Sequence, residues 1–375
     1  MRDTAAVDLP LIDHHCHGVV RDPLDRSGFE ALLCEADGPG PLHGSLFDTQ
    51  VGFGVRAVCA PLLDLPAHAP AEDYLARRAE LGPAEVTRRM LAGTGITDYL
   101  VDTGLTPDRV TTPRELAAVT GARGHEIVRL EAVAEATIVR CEPAEFAEAL
   151  DAAVHDRLAG AVGAKSIAAY RGGLDFDPAR PAADEVTAAA QRFLDSMGEG
   201  PPRLADPVII RHLLWTAVDA GVPIQFHVGY GDADIDLHRC RPSLLTPFLR
   251  ATAGRGVPVM LLHTYPFHRE AGYLAQVFDH VFADVGLALQ NVGSRASAVL
   301  AELLELAPVT AVLFSTDAYG LPELFTLHTA LFRRALAAFL DDGIDREHWS
   351  ASDAERIAAL ITSGNARRAY RLAER

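Results

Sequence analysis

The chain carries one lysine, Lys165, and its other thirty-three basic residues are all arginine. Arginine stays charged and cannot become a neutral nucleophile, whereas a desolvated lysine can lose its proton and form a Schiff base or a carbamate. The retained amine is either a chemical requirement or a survivor, by codon bias or in a buried ion pair. Positive charge is scarce as well: 34 basic residues against 51 acidic ones give a formal charge of −17. That total argues against nucleic acid and anionic membrane surfaces as partners. The arginines are scattered among acids, so no basic patch offsets it. No apolar run approaches the roughly 18 residues needed to span a bilayer, and the first residues lack the pattern of a secretory signal. The five cysteines (Cys16, Cys34, Cys59, Cys141 and Cys240) are an odd number without paired spacing. This argues against a disulfide scaffold and for a reducing cytoplasm. No repeat, low-complexity tract or linker divides the chain, so residues 1–375 are expected to form a single domain.

What is present is a 49% apolar chain in which short β-rich runs alternate with amphipathic stretches. The runs are LPLID before His15, ITDYLVD at 96–102, IVRLEAVAE at 127–135 and AVGAKSIAAY at 161–170. They continue with VPIQFHV at 222–228, VPVMLLH at 257–263, HVFADVGLA at 280–288 and TAVLFSTD at 310–317. Eight strands alternating with helices predict an α/β protein, a closed (β/α)8 TIM barrel. An open doubly wound sheet is the alternative, but no GxGxxG follows the first strand. Residues 20–95 separate the first two runs and read as a helical insertion, broken by DGPGPLHG. The insertion is expected to be a lid over the barrel mouth or, equally, a structural cap or oligomer contact.

The first run ends in Asp13-His14-His15-Cys16-His17. Side chains alternate across a strand, so His15 and His17 share a face with Asp13 while His14 and Cys16 take the other. Two imidazoles so spaced can hold one metal ion. His227, His263 and Asp317 close three later strands, and Lys165 lies within another. The C-terminal rim of a barrel is where catalytic residues gather.

These residues resemble the amidohydrolase superfamily, with HxH on strand 1, Lys on strand 4, His on strands 5 and 6, and Asp on strand 8. The segments GAKSIAAYRGGL, FHVGYGDADIDL, LLHTYPFHREAGYLA, FSTDAYGLPE and SGNARRAYRL look like the amidohydrolase-2-like branch. That branch also occurs fused to glutamine-synthetase-like domains and is related more distantly to metal-dependent decarboxylases. The resemblance, together with metal chemistry, implies a divalent ion bound by His15, His17 and Asp317, zinc first, with manganese or iron as alternatives. A carboxylated Lys165 would bridge to a second ion held by His227 and His263. Without that modification one ion is expected, with His263 as an acid–base or electrophilic group. A water acidified by the metal would attack, with Asp317 taking its proton.

Tyr170 and Arg171 follow strand 4, and Tyr265, His268, Arg269 and Glu270 follow strand 6. Arg171 or Arg269 is expected to hold a substrate carboxylate through its planar fork, with Tyr170 and Tyr265 beside it. The competing expectation is a structural ion pair with Asp232, Asp234 or Glu270. Glu131, on the third run, is expected to be structural. The function implied is hydrolysis of a C–N bond in a small carboxylate-containing molecule, on analogy a γ-glutamyl amide. A decarboxylase on the same site and a catalytically silent binding barrel are the alternatives, and a homo-oligomer is left open.

Overall fold

A computed structural model of the chain describes residues 9–36, 42 and 44–373; most of the DGPGPLHG break lies outside them. Seven strands run in parallel in chain order, β1 to β7. They are β1 (Leu11–Cys16), β2 (Ile96–Asp102), β3 (Arg123–Arg129), β4 (Gly163–Ser166), β5 (Ile224–Val228), β6 (Val259–His263) and β7 (Val281–Ala283). Every residue of β1, β4, β5, β6 and β7 is buried. Burial on both faces is why these strands read as nearly unbroken apolar runs.

The eighth run, expected at 310–317, makes only a single bridge, Val312 to Ala283, instead of a ladder. It nevertheless closes the ring. Leu313 N–H donates to the Ala283 carbonyl (3.0 Å), His14 N–H to Phe314 (3.1 Å), and Asp317 N–H to His15 (3.0 Å). Side chains replace part of the ladder: the Asp13 carboxylate accepts from the Thr316 amide (2.9 Å) and hydroxyl (2.6 Å). The result is an α/β TIM barrel.

Between β1 and β2 lie α1 (Arg26–Ala31), α2 (Gln50–Val58) and α3 (Ala71–Leu91). Asp25 caps α1 and Thr49 caps α2, each accepting from a first-turn amide. Stacked Phe29 and Phe47 (5.5 Å) and the neighbouring Tyr74 give this segment its own apolar centre. It is fastened to the barrel by a buried ion pair, Arg78 Nε to Glu323 Oε1 at 2.7 Å, with the Tyr74 hydroxyl donating to the same carboxylate. Removing either charge would strand the other in apolar surroundings, at a cost of about 3–5 kcal/mol.

After β2 comes α4 (Pro113–Thr120), started by a Thr112–Glu115 capping box. The third strand lies four residues earlier than the sequence suggested, and α5 (Leu130–Ile138) follows it directly. An apolar run cannot by its pattern separate strand from helix, and LEAVAEATI is rich in helix formers. Glu131 therefore sits in the first turn of α5, not on a strand, and accepts from the Ser166 hydroxyl (2.6 Å) and the Ile167 amide (2.9 Å). Among the described residues, no helix is long and apolar enough to cross a membrane.

Candidate metal centre

Both faces of β1 build the site. On one, His15 Nδ1–H donates to Gln225 Oε1 (2.8 Å), which leaves the Nε2 lone pair directed into the barrel mouth. Gln225 is itself fixed, since its amide donates to the His14 carbonyl (2.7 Å) and to the Tyr370 hydroxyl (2.8 Å). On the other face, His14 bonds Asp284 Oδ2 through Nε2 (2.9 Å) and accepts from Tyr370 through Nδ1 (3.0 Å). Asp284 Oδ1 then accepts from the His263 amide at 2.9 Å. His17 Nδ1–H donates to the Asp102 carbonyl (3.3 Å), and the Asp102 carboxylate is gripped by Arg129 at 2.6 and 3.1 Å. Such outer contacts set the tautomer and aim of metal-ligating imidazoles.

The lone pairs converge on Asp317. Its Oδ1 lies 3.0 Å from His15 Nε2 and 3.4 Å from His17 Nε2, and its Oδ2 lies 3.4 Å from His263 Nε2. Donor atoms about 2.1 Å from a shared ion stand roughly 3.0–3.4 Å apart at ordinary coordination angles, so this spacing fits a divalent cation. The donor atoms of His15, His263 and Asp317 all lie within 4.8 Å of one another, as do those of His15, His17 and Asp102. Burial drives the His15 imidazole down to about 3 and that of His263 to about 4, so both are neutral and able to ligate near pH 7. Burial raises the Asp317 carboxyl, but the surrounding histidines, His263 first, outweigh it and hold it well below the usual carboxylate range. His263 and Asp317 adopt left-handed backbone (φ 66 and 50). That conformation costs roughly 1–3 kcal/mol at a non-glycine residue and is held only where the surroundings over-determine it.

Lys165 reaches the same point, with Nζ 3.2 Å from His15 Nε2. Burial lowers its amine to about 8 against the pull of Asp102 and Asp317, so a neutral fraction exists near neutral pH. In the ladder it sits level with Arg129 on one side and Gln225 on the other. The convergent groups lie at the base of a cavity of about 480 Å³, lined also by residues 31–36, Tyr170, Arg171, Asp232 and Asn291.

Residues 12–372 match the family model described as Amidohydrolase. The chain belongs to the amidohydrolase family. It resembles a crystal structure from Lactobacillus casei, described as a candidate metal-dependent hydrolase, with 32% identity and a TM-score of 0.86 over 98% of this chain and 97% of that one. It is 30% identical to protein fluG of Emericella nidulans over 97% of its own length and 46% of fluG, so it spans about half of that relative. A uronate isomerase of Thermotoga maritima shares 15% identity and a TM-score of 0.64, over 97% of this chain and 95% of that one, a likeness of fold alone.

In this chain His15, His17, His263, Asp317 and Lys165 come together. His227 lies in the same wall, its ring 4.9 Å from that of His263, but its Nε2–H donates to the Tyr230 carbonyl (3.1 Å) and it joins neither ligand group. Tyr170 packs on His227 at 4.5 Å. A side chain at Gly231 would meet the Tyr170 hydroxyl at 2.1 Å, so this close approach requires glycine. Arg171 lines the cavity; Tyr265 and Arg269 do not. The Tyr265 ring stacks on His268, and Arg269 is an exposed partner of Glu305 (2.8 Å). Glu270 is taken by Arg241 and by the Ser243 hydroxyl (2.8 Å). Sequence reasoning passed over Asp102, Arg129, Gln225, Asp284, Tyr370 and Glu35. Asp102 offered the same signal as Asp317, a carboxylate closing an apolar strand. Gln225 is a lone amide in such a strand, two residues before His227.

Proposed function

We propose that the protein is a metal-dependent hydrolase that cleaves a C–N amide bond in a small carboxylate-bearing substrate. The observation that carries this reading is one ionised carboxylate, Asp317, ringed by three imidazole nitrogens at 3.0–3.4 Å on the floor of the cavity. A bound divalent cation, zinc by the nitrogen and oxygen character of these donors, supplies Lewis acidity at that point. The protein's own groups do the rest. Asp317 is ionised and strained toward the cavity, which suits it to accept a proton from the attacking water and return it to the departing nitrogen. With one ion bound by the other groups, His263 with its proton on Nε2 can hydrogen-bond the substrate carbonyl or its developing charge. Arg171, half free of its Glu135 partner at 3.6 Å, offers a fork for the substrate carboxylate. Carboxylation of Lys165 would add two oxygen ligands and draw in His227 after a turn of its ring, giving a two-ion site. A γ-glutamyl amide is the substrate we favour on the strength of the resemblance. The five free cysteines, three of them buried in the core, suit a reducing cytoplasm.

The second reading is decarboxylation on the same groups, favoured by the buried Arg129–Asp102 pair beside the imidazoles, which could seat a carboxylate close to the centre. Product analysis on metal-loaded protein separates the two. Stoichiometric amine and carboxylate support hydrolysis; carbon dioxide without amine would overturn it. Loss of turnover with chelator and its return with zinc or manganese is expected in either case, and turnover indifferent to chelator would refute both.

A further inference from the structure

Glu35 is a carboxyl group in the substrate cavity with no counter-ion among the described residues. It follows α1, lines the cavity, and has no hydrogen-bond or ion-pair partner among the described residues. The charges that act on it are those of Asp317 and Asp232, both acidic; burial and these two push its carboxyl up to about 8. Asp234, on the same wall, is by contrast neutralised by Arg203 at 2.7 Å. Glu35 belongs to neither group of converging ligand atoms, so a cation seated on His15, His17 and Asp317 would not use it as a ligand.

A second group in the same cavity has the opposite imbalance. The Arg171 side chain is largely buried, its one carboxylate neighbour, Glu135, stands 3.6 Å away, and its Nε has no acceptor. The main charges acting on Arg171 are those of Arg203, Glu135, Glu131 and Arg129, and Arg171 is not among the charges acting on Glu35. Asp317 acts on Glu35, and Arg129, which grips Asp102 beside the imidazoles, acts on Arg171. The cavity that holds the reacting centre therefore carries a carboxyl and a guanidinium that each lack a full counter-ion among the described residues, and a cation arriving at Glu35 would ionise it. Buried charges in a site are tolerated when a ligand completes them.

We propose that Glu35 binds an ammonium group on the substrate, at the end remote from the carboxylate held by Arg171, so that the scissile amide joins an anionic acyl half to a cationic amine half. Tyr170 lies within the field of Glu35 in the same cavity and offers an aromatic face to the cation. The inference rests on the reading of this cavity as the substrate site of a C–N hydrolase, and it specifies the chemistry of the half that leaves.

The test uses two probes that differ only in the ammonium, the aminobutylamide and the butylamide of glutaric acid. Binding to the full chain is measured by calorimetry without metal, and hydrolysis is measured with zinc added. The native chain should bind the aminobutylamide about tenfold tighter, the usual worth of a charge-assisted hydrogen bond. Glu35→Gln should bring the ratio close to one, and Glu35→Lys, which supplies its own ammonium, should turn it below one. Arg171→Met should weaken both probes alike. Equal affinities in the native chain, no binding of either probe, or a ratio unchanged by both Glu35 substitutions overturns the inference. Thermal melts show that each variant is folded, and the charge reversal gives an answer even if one variant is lost. Tight, Glu35-dependent binding with neither amide cleaved would sink the hydrolase reading and leave the ammonium site standing. Cleavage of both amides at equal rates and affinities would do the reverse.

Discussion

Gln225 is the residue through which the barrel interior controls the metal centre, and Gln225→Leu tests that control. The substitution keeps size and burial but deletes three hydrogen bonds, from His15 Nδ1 (2.8 Å), to the His14 carbonyl (2.7 Å) and to the Tyr370 hydroxyl (2.8 Å). Each partner is buried, and an unsatisfied buried group costs roughly 1–3 kcal/mol, so a loss of about 3–6 kcal/mol is expected in urea unfolding of the metal-free chain. The second effect is on the ligand itself. Without an acceptor at Nδ1, His15 can place its proton on Nε2, the nitrogen that faces Asp317, and its ring is no longer held in orientation. Zinc affinity, read by competition with a chromophoric chelator, should fall about 10–100-fold, the usual weight of such outer contacts. Tyr370→Phe is the control: it removes one hydroxyl two steps from the ion and should cost about 1–2 kcal/mol of stability with little change in zinc affinity. Zinc affinity within twofold of native in a folded Gln225→Leu chain would refute the argument.

Other substitutions probe the remaining links. Lys165→Arg should abolish turnover; native chain held under a fixed pressure of carbon dioxide should activate faster at pH 8 than at 6.5, because the neutral amine grows as pH approaches its value of about 8. A single metal equivalent with an unmodified lysine would remove the two-ion version. Arg171→Met should raise KM for an acidic substrate at least about tenfold, whereas Arg269→Met, outside the cavity, should leave it unchanged; steady-state kinetics decide. His328 is pushed by burial from 6.5 down to about 3 in the folded chain, so its contribution is intact above 6.5 and is lost progressively as pH falls toward 3. That loss amounts to about 2 kcal/mol at pH 5, and His328→Gln should flatten the acid limb of stability measured by urea midpoints.

The parts legible in the sequence were those written in one strand at a time. His15 and His17 declared themselves by alternation, and His263 and Asp317 by ending apolar runs. Arg171, just past strand β4, lines the cavity, whereas β6 is followed by a helix (His268–Val277) that carries Arg269 outward to Glu305. Third-strand bounds slipped because LEAVAEATI is apolar and helix-forming at once. The His14–Asp284–Tyr370–Gln225 network was illegible for a different reason: its members lie as far as 356 positions apart, and only closure of the ring brings them into contact. Glu35 had no signal, since nothing local to an acid in a loop reveals that its neighbours in space are also acids.

The segment that closes the ring is also the one that presents Asp317. It is tied to β7 and β1 by scattered backbone bonds and by Thr316 on Asp13, not by a continuous ladder. The ligands sit on both sides of that junction, His15 on β1 and His17 just past its end, His263 on β6 and Asp317 on the closing segment. A cation bound there would act as a keystone, clamping the joint where the circle meets itself. Loading the metal should then slow amide exchange at Leu313, Thr316 and Asp317 more than at the strands opposite, and a change that loosens the joint should spill metal before it unfolds the barrel.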